Sequence, residues 1–203
     1  MIVAPLSSAQ AEEIVTVFCD AFHDYPVMRH VLGAGDRYDT RLRTLIRLFV
    51  NGRAFRKEPL LGIRDDAGRL TGAATMTLPE SPDPPAVLIA HRDAVWQELG
   101  QDARARYEAF TAATQRFAIG ARHHHLNMIG VSRSVQGQGL ARALLTAVHA
   151  LTDSDPDSAG TSLSTEHPPN VPLYRHFGYR VVGQARVDGD LTTWVLFRER
   201  SLS

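Results

Sequence analysis

Cysteine is almost absent from this chain. Cys19 stands alone, so no disulfide can form within it and a small fold held by cross-links is excluded. The neighbours of that residue, Val17-Phe18-Cys19-Asp20-Ala21-Phe22, read as an amphipathic helix, which makes Cys19 a packing residue rather than a nucleophile. No apolar run is long enough to cross a bilayer. The first residues lack the cationic stretch followed by an apolar one that marks a secretory signal. Neither charge is in excess, with 22 acidic and 22 basic residues, so neither a nucleic-acid groove nor a polybasic membrane patch is expected. Repeats and low-complexity segments are missing as well. The expectation is a cytoplasmic protein with one α/β core over residues 1–203, without nucleic-acid or membrane partners.

What is present is concentrated in residues 126–145. A β-compatible apolar run, Leu126 to Val131, ends in a short polar turn and leads into Gln136-Gly137-Gln138-Gly139-Leu140-Ala141. A helical pattern follows at once, with Leu140, Leu144, Leu145, Val148 and Leu151 on one face. The first turn of a helix has unpaired N–H donors, and its dipole favours negative charge. Glycines allow the close approach and the φ values of an anion-binding nest, so this segment is expected to hold a phosphate or pyrophosphate. Two familiar phosphate loops fail here. The G-x-G-x-x-G dinucleotide fingerprint and the G-x-x-x-x-G-K P-loop both require glycine where Arg142 stands.

The remaining pattern, Q-x-x-G-x-A at Gln136 to Ala141, resembles the pyrophosphate motif of the GNAT superfamily of acetyl-CoA-dependent N-acyltransferases. A second segment in the right order strengthens the resemblance. Residues 163–179 carry Asn170, Tyr174 and the turn Phe177-Gly178-Tyr179 at the family's spacing. The likeness is closest to the branch containing puromycin acetyltransferase, through the lead-in His123-His124-His125-Leu126 and the pair Thr193-Trp194. It is strong over residues 121–198 and weak before them, where the chain departs too far for a substrate to be carried over.

Elsewhere, short strands are expected at residues 2–6, 60–64 and 70–78, with a hairpin turn at Asp65-Asp66-Ala67-Gly68. A helix capped by Ser7 or Ser8 runs to about Phe22, with Ile14, Val15 and Phe18 inward, and His23-Asp24-Tyr25-Pro26 breaks it. A second helix covers residues 39–52, with Leu42, Leu45, Ile46 and Phe49 at helical spacing. Prolines make residues 79–85 a connector. Residues 92–119 read as one helical stretch with Val95, Leu99, Tyr107, Phe110 and Phe117 inward. Then come a central strand at 125–131, the phosphate-loop helix at 139–151, a strand at 160–165, a short helix at 170–177 and two strands at 179–187 and 192–198. Asp188-Gly189 suits the hairpin between the last two. Strand–helix alternation with hairpins at both ends gives a mixed α/β sheet of α+β type. The resemblance makes this a mostly antiparallel GNAT-like sheet, flanked by helices and splayed between its two central strands to admit pantetheine.

Acyl transfer from a thioester to an amine needs a bound cofactor, a neutral amine, oxyanion stabilisation and a proton for the leaving thiolate. Backbone donors of Gln136, Gly137, Gln138, Gly139, Leu140 and Ala141 are expected to hold the pyrophosphate. The resemblance assigns the pantetheine contacts to the central strand from Met128 to Val131, that is Met128, Ile129, Gly130 and Val131, with the Ile129 N–H as oxyanion donor. Gly130 reads either as a bulge or close ligand approach, or as a packing glycine. Tyr174 takes the family's general-acid position, against a competing role as a packed ring. Its unperturbed pKa of about 10 lets it serve a thiolate of about 8.5 at modest cost. Asn170 is expected to cap the short helix and to touch pantetheine.

The base stays open between Glu166, His125, a water on Asn127, and Glu80, or no base at all. Adjacent residues of the histidine run point to opposite faces of a strand, and no zinc motif accompanies them, so no metal is expected. Gly130-Val131-Ser132-Arg133-Ser134 lacks the last glycine of a hydrolase nucleophile elbow. The reading is an acetyl-CoA-dependent N-acetyltransferase acting on a small-molecule amine by direct attack in a ternary complex. Its acceptor site is expected to be lined by the first two helices, around Phe22, Asp24, Tyr25 and Pro26, and by the proline connector at 79–85. The alternatives are a protein or peptide N-acetyltransferase and a non-catalytic acyl-CoA sensor. The last hairpin is a candidate homodimer contact, since the family is often dimeric.

Overall fold

Seven strands form one sheet in the order β1-β2-β3-β4-β5-β7-β6 in a computed structural model that describes residues 2–81, 83–189 and 191–201. The strands are β1 (Val3–Pro5), β2 (Leu60–Arg64), β3 (Leu70–Thr77), β4 (His124–Val131), β5 (Gly160–Thr165), β6 (Arg180–Val187) and β7 (Leu191–Glu199). All neighbours are antiparallel except β4 and β5. Those two pair only at His124–Thr161 and His125–Ser162, after which they part. The splay expected at the centre of the sheet is this parting.

Helix α1 (Ala11–Ala21) buries Ile14, Val15 and Phe18 completely on one face of the sheet. A 3-10 turn at Ser8–Gln10 precedes it, and the Gln10 side chain accepts the Ser7 N–H at 2.8 Å, half of a capping box. As expected, α1 ends before the tetrad His23-Asp24-Tyr25-Pro26, whose last member also opens a new element. Pro26 is the first residue of a further helix, α2 (Pro26–Leu32), where its fixed φ and missing N–H are no handicap. Val27, Met28, Val31 and Leu32 are buried from it. Helix α3 (Tyr38–Phe55) packs beside α1 through Leu42, Leu45 and Ile46.

The stretch expected as one helix over 92–119 is two, α4 (Ala86–Leu99) and α5 (Gln101–Gln115). Gly100 divides them at φ +89°, a left-handed backbone that an L side chain rarely adopts. Val95, Trp96 and Leu99 are buried, whereas Tyr107, Phe110 and Phe117 are half-buried. Phe117 covers Gly183 of β6, where a Cβ would lie 2.1 Å from its ring.

On the opposite face, α6 (Leu140–Asp153) buries Leu140, Leu144, Leu145 and Val148 against a second core. Leu151 is exposed, against expectation, and Thr152 takes the inward place four residues after Val148. Its hydroxyl bonds that of Thr161 at 2.6 Å, so a polar residue closes the apolar stripe without an unpaired group. The short helix α7 (Asn170–His176) follows β5. The turn at Asp188-Gly189 joins β6 to β7, with Gly189 at φ +83°.

Candidate active site

The parting of β4 and β5 leaves part of one strand edge without a strand partner. The Ser132 N–H donates to the Thr71 carbonyl of β3's side at 2.8 Å. N–H directions alternate along a strand, so Gly130 and Met128 face β3 as well, and the N–H groups of Ile129 and Val131 face the gap. An extended amide chain laid in that gap meets donors at Ile129 and Val131. The irregularity foreseen near Gly130 lies at Asn127, where Thr75 pairs with Met128 and Met76 with Leu126. Gly130 is instead a close-packing glycine. A Cβ there would sit 2.9 Å from Ala21 and 3.1 Å from Phe18 of α1.

Downstream, the loop turns through a 3-10 segment, Arg133–Val135, and two left-handed glycines, Gly137 at φ +78° and Gly139 at φ +82°. Gly139 is the N-cap of α6. A Cβ at either glycine would meet nothing within 4 Å, so both are needed for backbone conformation and leave open space above the helix start. The Gln136 side chain turns back to donate to the Val131 carbonyl at 3.3 Å, tying the loop to β4. Arg133 is anchored to the corner between α1 and α2: its N–H donates to Asp20 and its guanidinium to Asp24, each at 2.8 Å. Asp24 also pairs with Arg29, and these partners hold its carboxyl well below the usual carboxylate range.

Loop and gap open into a cleft of about 580 Å³, within the range of ligand sites. Gln136, Gly137, Gly139, Leu140, Ala141, Ile129, Gly130 and Val131 line it, as do Asp24 and Pro26. A second cavity of about 220 Å³ lies deeper, between β4, β5 and helices α2, α3 and α5. Phe22, Tyr25, Ile129, Asn170 and Tyr174 line both, so the two spaces meet there. Of the four residues expected around the acceptor, Phe22 and Tyr25 reach the deep cavity, while Asp24 and Pro26 border the outer cleft alone.

Glu166 stands just past β5 with 6 % of its surface exposed and no cation beside it among the described residues. Burial raises its carboxyl to about 7, moderated by hydroxyls of Thr193 and Tyr25 that favour the charged form. Thr193 donates to Oε1 at 2.7 Å. The backbone N–H of Glu166 donates to the Tyr25 hydroxyl at 3.2 Å, and that hydroxyl shares a 2.8 Å bond with Thr165. Tyr174 is buried on α7, and burial together with the nearby Glu166 carboxylate pushes its phenol up to about 12. No described residue hydrogen-bonds its hydroxyl. It therefore carries its proton at neutral pH and is free to give it to a ligand.

His125 lines the deep cavity, but its Nδ1 is bonded to Ser162 at 2.7 Å and burial lowers it to about 4. A neutral imidazole with that pKa is a weak base, so Glu166 is the better candidate. Glu80 is at the surface, paired with Arg122 at 3.2 Å, and takes no part in the cavity. Asn170 is the first residue of α7 rather than its cap; its amide donates to Thr165 at 3.2 Å. The three histidines have separate hydrogen-bond partners, Ala121, Ser158 and Ser162. Among the described residues no group of three or more metal-ligating side chains occurs. Missed from the sequence alone were Thr193 as the partner of Glu166, and Thr165 as the hub between Tyr25 and Asn170. Nothing local marks Thr193, whose partner lies on another stretch of chain, or the tie from Thr165 to Tyr25, 140 residues away; only the Thr165–Asn170 bond is local.

Open donors on β4, a glycine nest at a helix start, and a cleft joining them fit a ligand with an amide arm and a pyrophosphate, as coenzyme A has. Residues 94–194 match the model of the acetyltransferase (GNAT) domain, an acetyl-CoA-dependent acyltransferase domain. No curated protein matches the chain by sequence. Among solved structures, it is similar to the histone acetyltransferase HPA2 and related acetyltransferase from Corynebacterium glutamicum. The two are 20 % identical with a TM-score of 0.73, over 99 % of this chain and 97 % of that one. The ribosomal-protein-S18-alanine N-acetyltransferase of Escherichia coli shares 14 % identity at a TM-score of 0.60, over 100 % and 95 %. Naa20 of Chaetomium thermophilum, in complex with a bisubstrate analogue, shares 13 % at 0.55, over 98 % and 87 %. These likenesses establish the fold. Among the described residues no helix is long and apolar enough to cross a membrane.

Proposed function

We propose that this protein, whose residues 94–194 match the acetyltransferase (GNAT) domain, acetylates a primary amine seated in the deep cavity, by direct attack in a ternary complex. The observation that carries this reading is the meeting of the two cavities at Ile129 and Tyr174, with Glu166 buried on the deep side. Bound in the outer cleft, acetyl-CoA supplies an acetyl group activated as a thioester. The nest from Gln136 to Ala141 takes its pyrophosphate, and the Ile129 and Val131 edge pairs with its pantetheine amides.

Glu166, with a carboxyl near 7, receives a proton from the acceptor ammonium and leaves the nitrogen lone pair free. The Ile129 N–H faces the point where negative charge grows on the carbonyl oxygen. The phenol of Tyr174 holds the proton that a departing thiolate needs. Phe22 and the ring of Tyr25 separate the acceptor space from the loop, which keeps water from the reacting centre.

For the acceptor, the enclosed apolar walls supplied by α2, α3 and α5 support a small-molecule amine. A protein N-terminus is the second reading, favoured by the names of the ribosomal-protein-S18-alanine N-acetyltransferase and of Naa20, which share the fold. The sequence motifs alone support a place in the puromycin acetyltransferase-like branch. A panel of small amines and of short peptides with free α-amines, read by thiol release, separates the two acceptors. Turnover of neither, with intact acetyl-CoA binding, overturns the catalytic reading in favour of an acyl-CoA sensor.

A further inference from the structure

The deep cavity has two chemically different ends. Near the cofactor gap are Glu166 and Tyr174. At the far end, Arg53 reaches from α3 and forms an ion pair with buried Glu58 at 2.8 Å. The same guanidinium nitrogen donates to the Thr77 hydroxyl at 2.7 Å, and Thr77 in turn bonds the side-chain amide of Asn127 at 3.0 Å. The Thr77 oxygen accepts from the arginine, which can only donate. The Thr77 hydroxyl donates its own proton to the Asn127 carbonyl oxygen, Oδ1. This chain of bonds orients the amide and leaves its NH₂ as the free end. No described residue accepts from that NH₂, and Asn127 lines the cavity. It is also the extra residue of the β4 irregularity, a local feature that re-aims a side chain.

Between the two ends the walls are apolar and largely aromatic: Phe22, Phe49, Tyr107 and Phe110, with Met28 and Val31. The Phe49 and Tyr107 rings lie 5.6 Å apart and extend the aromatic wall to Trp96 behind. A cavity of about 150 Å³ holds benzene, so one of about 220 Å³ suits a single substituted ring. Along β4, Asn127 lies two residues from Ile129, at most roughly 7 Å because the irregularity shortens the strand there, a distance one ring bridges. Glu166 is the one carboxylate lining the cavity, which disfavours polycationic acceptors.

We propose that Asn127 is the specificity-determining residue for the acceptor. Its oriented NH₂ recognises an oxygen, of a carbonyl or carboxamide, at the end of a ring-sized apolar amine opposite the reacting nitrogen. This inference rests on the acetyltransferase reading and narrows its substrate class to arylalkylamines bearing an acceptor oxygen.

Four probes test it: phenethylamine, 4-(2-aminoethyl)benzamide, butylamine and an alanine-initiated tripeptide. The carboxamide is expected to exceed phenethylamine in kcat/KM at least about tenfold, since unpaired polar groups penalise the analogue that lacks the partner. Asn127→Asp keeps the shape and the Thr77 bond but removes both donors, and the ratio collapses towards one. Calorimetric titration of the two aryl amines into the unliganded protein and into that variant gives the same comparison without turnover. Folding of the variant is checked by its melting temperature. Equal kcat/KM for the two aryl amines, a ratio unchanged in Asn127→Asp, or turnover of the tripeptide alone overturns the inference and leaves acetyl transfer standing. Absence of turnover with all four probes and with the wider panel of amines and peptides, while acetyl-CoA still binds, overturns the underlying reading as well.

Discussion

Thr193, on the strand that pairs with β5, points its hydroxyl at the Glu166 carboxylate across 2.7 Å. Both residues are buried, so this bond is made in a medium where one donor changes a proton affinity. Thr193→Val removes a donor to the charged form, and the carboxyl of Glu166 rises further. The acid limb of the pH–rate profile is expected to move to higher pH, and Thr193→Ser to restore it. A purely structural role for Thr193 would lower activity without moving the limb.

Glu166 itself sets that limb. In the folded, unliganded protein it keeps its proton up to about 7 against an ordinary 4.5, so kcat/KM is expected to rise with pH through about 7. Glu166→Gln should lose about 10²–10⁴ in kcat and the limb with it. Stability moves the other way. Between pH 4.5 and 7 the native state holds more protons than the unfolded one, so stability falls as pH rises. The glutamine variant escapes this loss and gains on the wild type across that window, by on the order of 3 kcal/mol at most. Denaturant midpoints at pH 5 and pH 8 measure the difference.

Tyr174→Phe deletes a proton donor without opening a large cavity. The expected result is a fall of about 10²–10⁴ in kcat with acetyl-CoA affinity unchanged. Because the phenol keeps its proton to about pH 12, the wild type should show no alkaline limb from this group below pH 10. An unchanged rate would remove Tyr174 from the reaction.

At Gly139 the backbone is left-handed and the space above it is open. Gly139→Glu sets a carboxylate in the anion nest, and calorimetric binding of acetyl-CoA should be abolished. Gly139→Ala meets no atom and costs only backbone strain, about 1 kcal/mol in stability, with weakened rather than absent binding.

Gly130→Ala should destabilise the protein by about 1–3 kcal/mol, the usual cost of overpacking. Its Cβ would press on Phe18, Ala21 and Phe22 of α1. Phe22 lines the acceptor cavity, so the variant is also expected to raise KM for the amine more than for acetyl-CoA.

The parts legible in the sequence were those whose signal is local. The strand–glycine loop–helix unit at 126–145 announces itself through residues adjacent in the chain, whereas the splay of the sheet was expected from the family resemblance alone. Pro26 was read as a break because proline interrupts a helix already under way; here it begins one. Gly100 lies within an unbroken helical periodicity, and only its φ reveals that two helices meet there. Thr152 replaced Leu151 as the inward residue because a hydroxyl partner on β5 pays its desolvation, a fact held by Thr161 alone. The proton affinities of Glu166 and His125 depend on enclosure by residues far away in the chain, and a lone sequence carries no measure of enclosure.

Strands β4 and β5 touch at two residue pairs and then separate, and in the binding mode proposed above what lies between them is a reactant. The sheet is then completed by a molecule that is consumed and replaced at every turnover. Heat resistance and cofactor supply become linked quantities: a rise in acetyl-CoA concentration should raise the melting temperature by mass action. Without acetyl-CoA the same chain would lose that stabilisation and melt at a lower temperature.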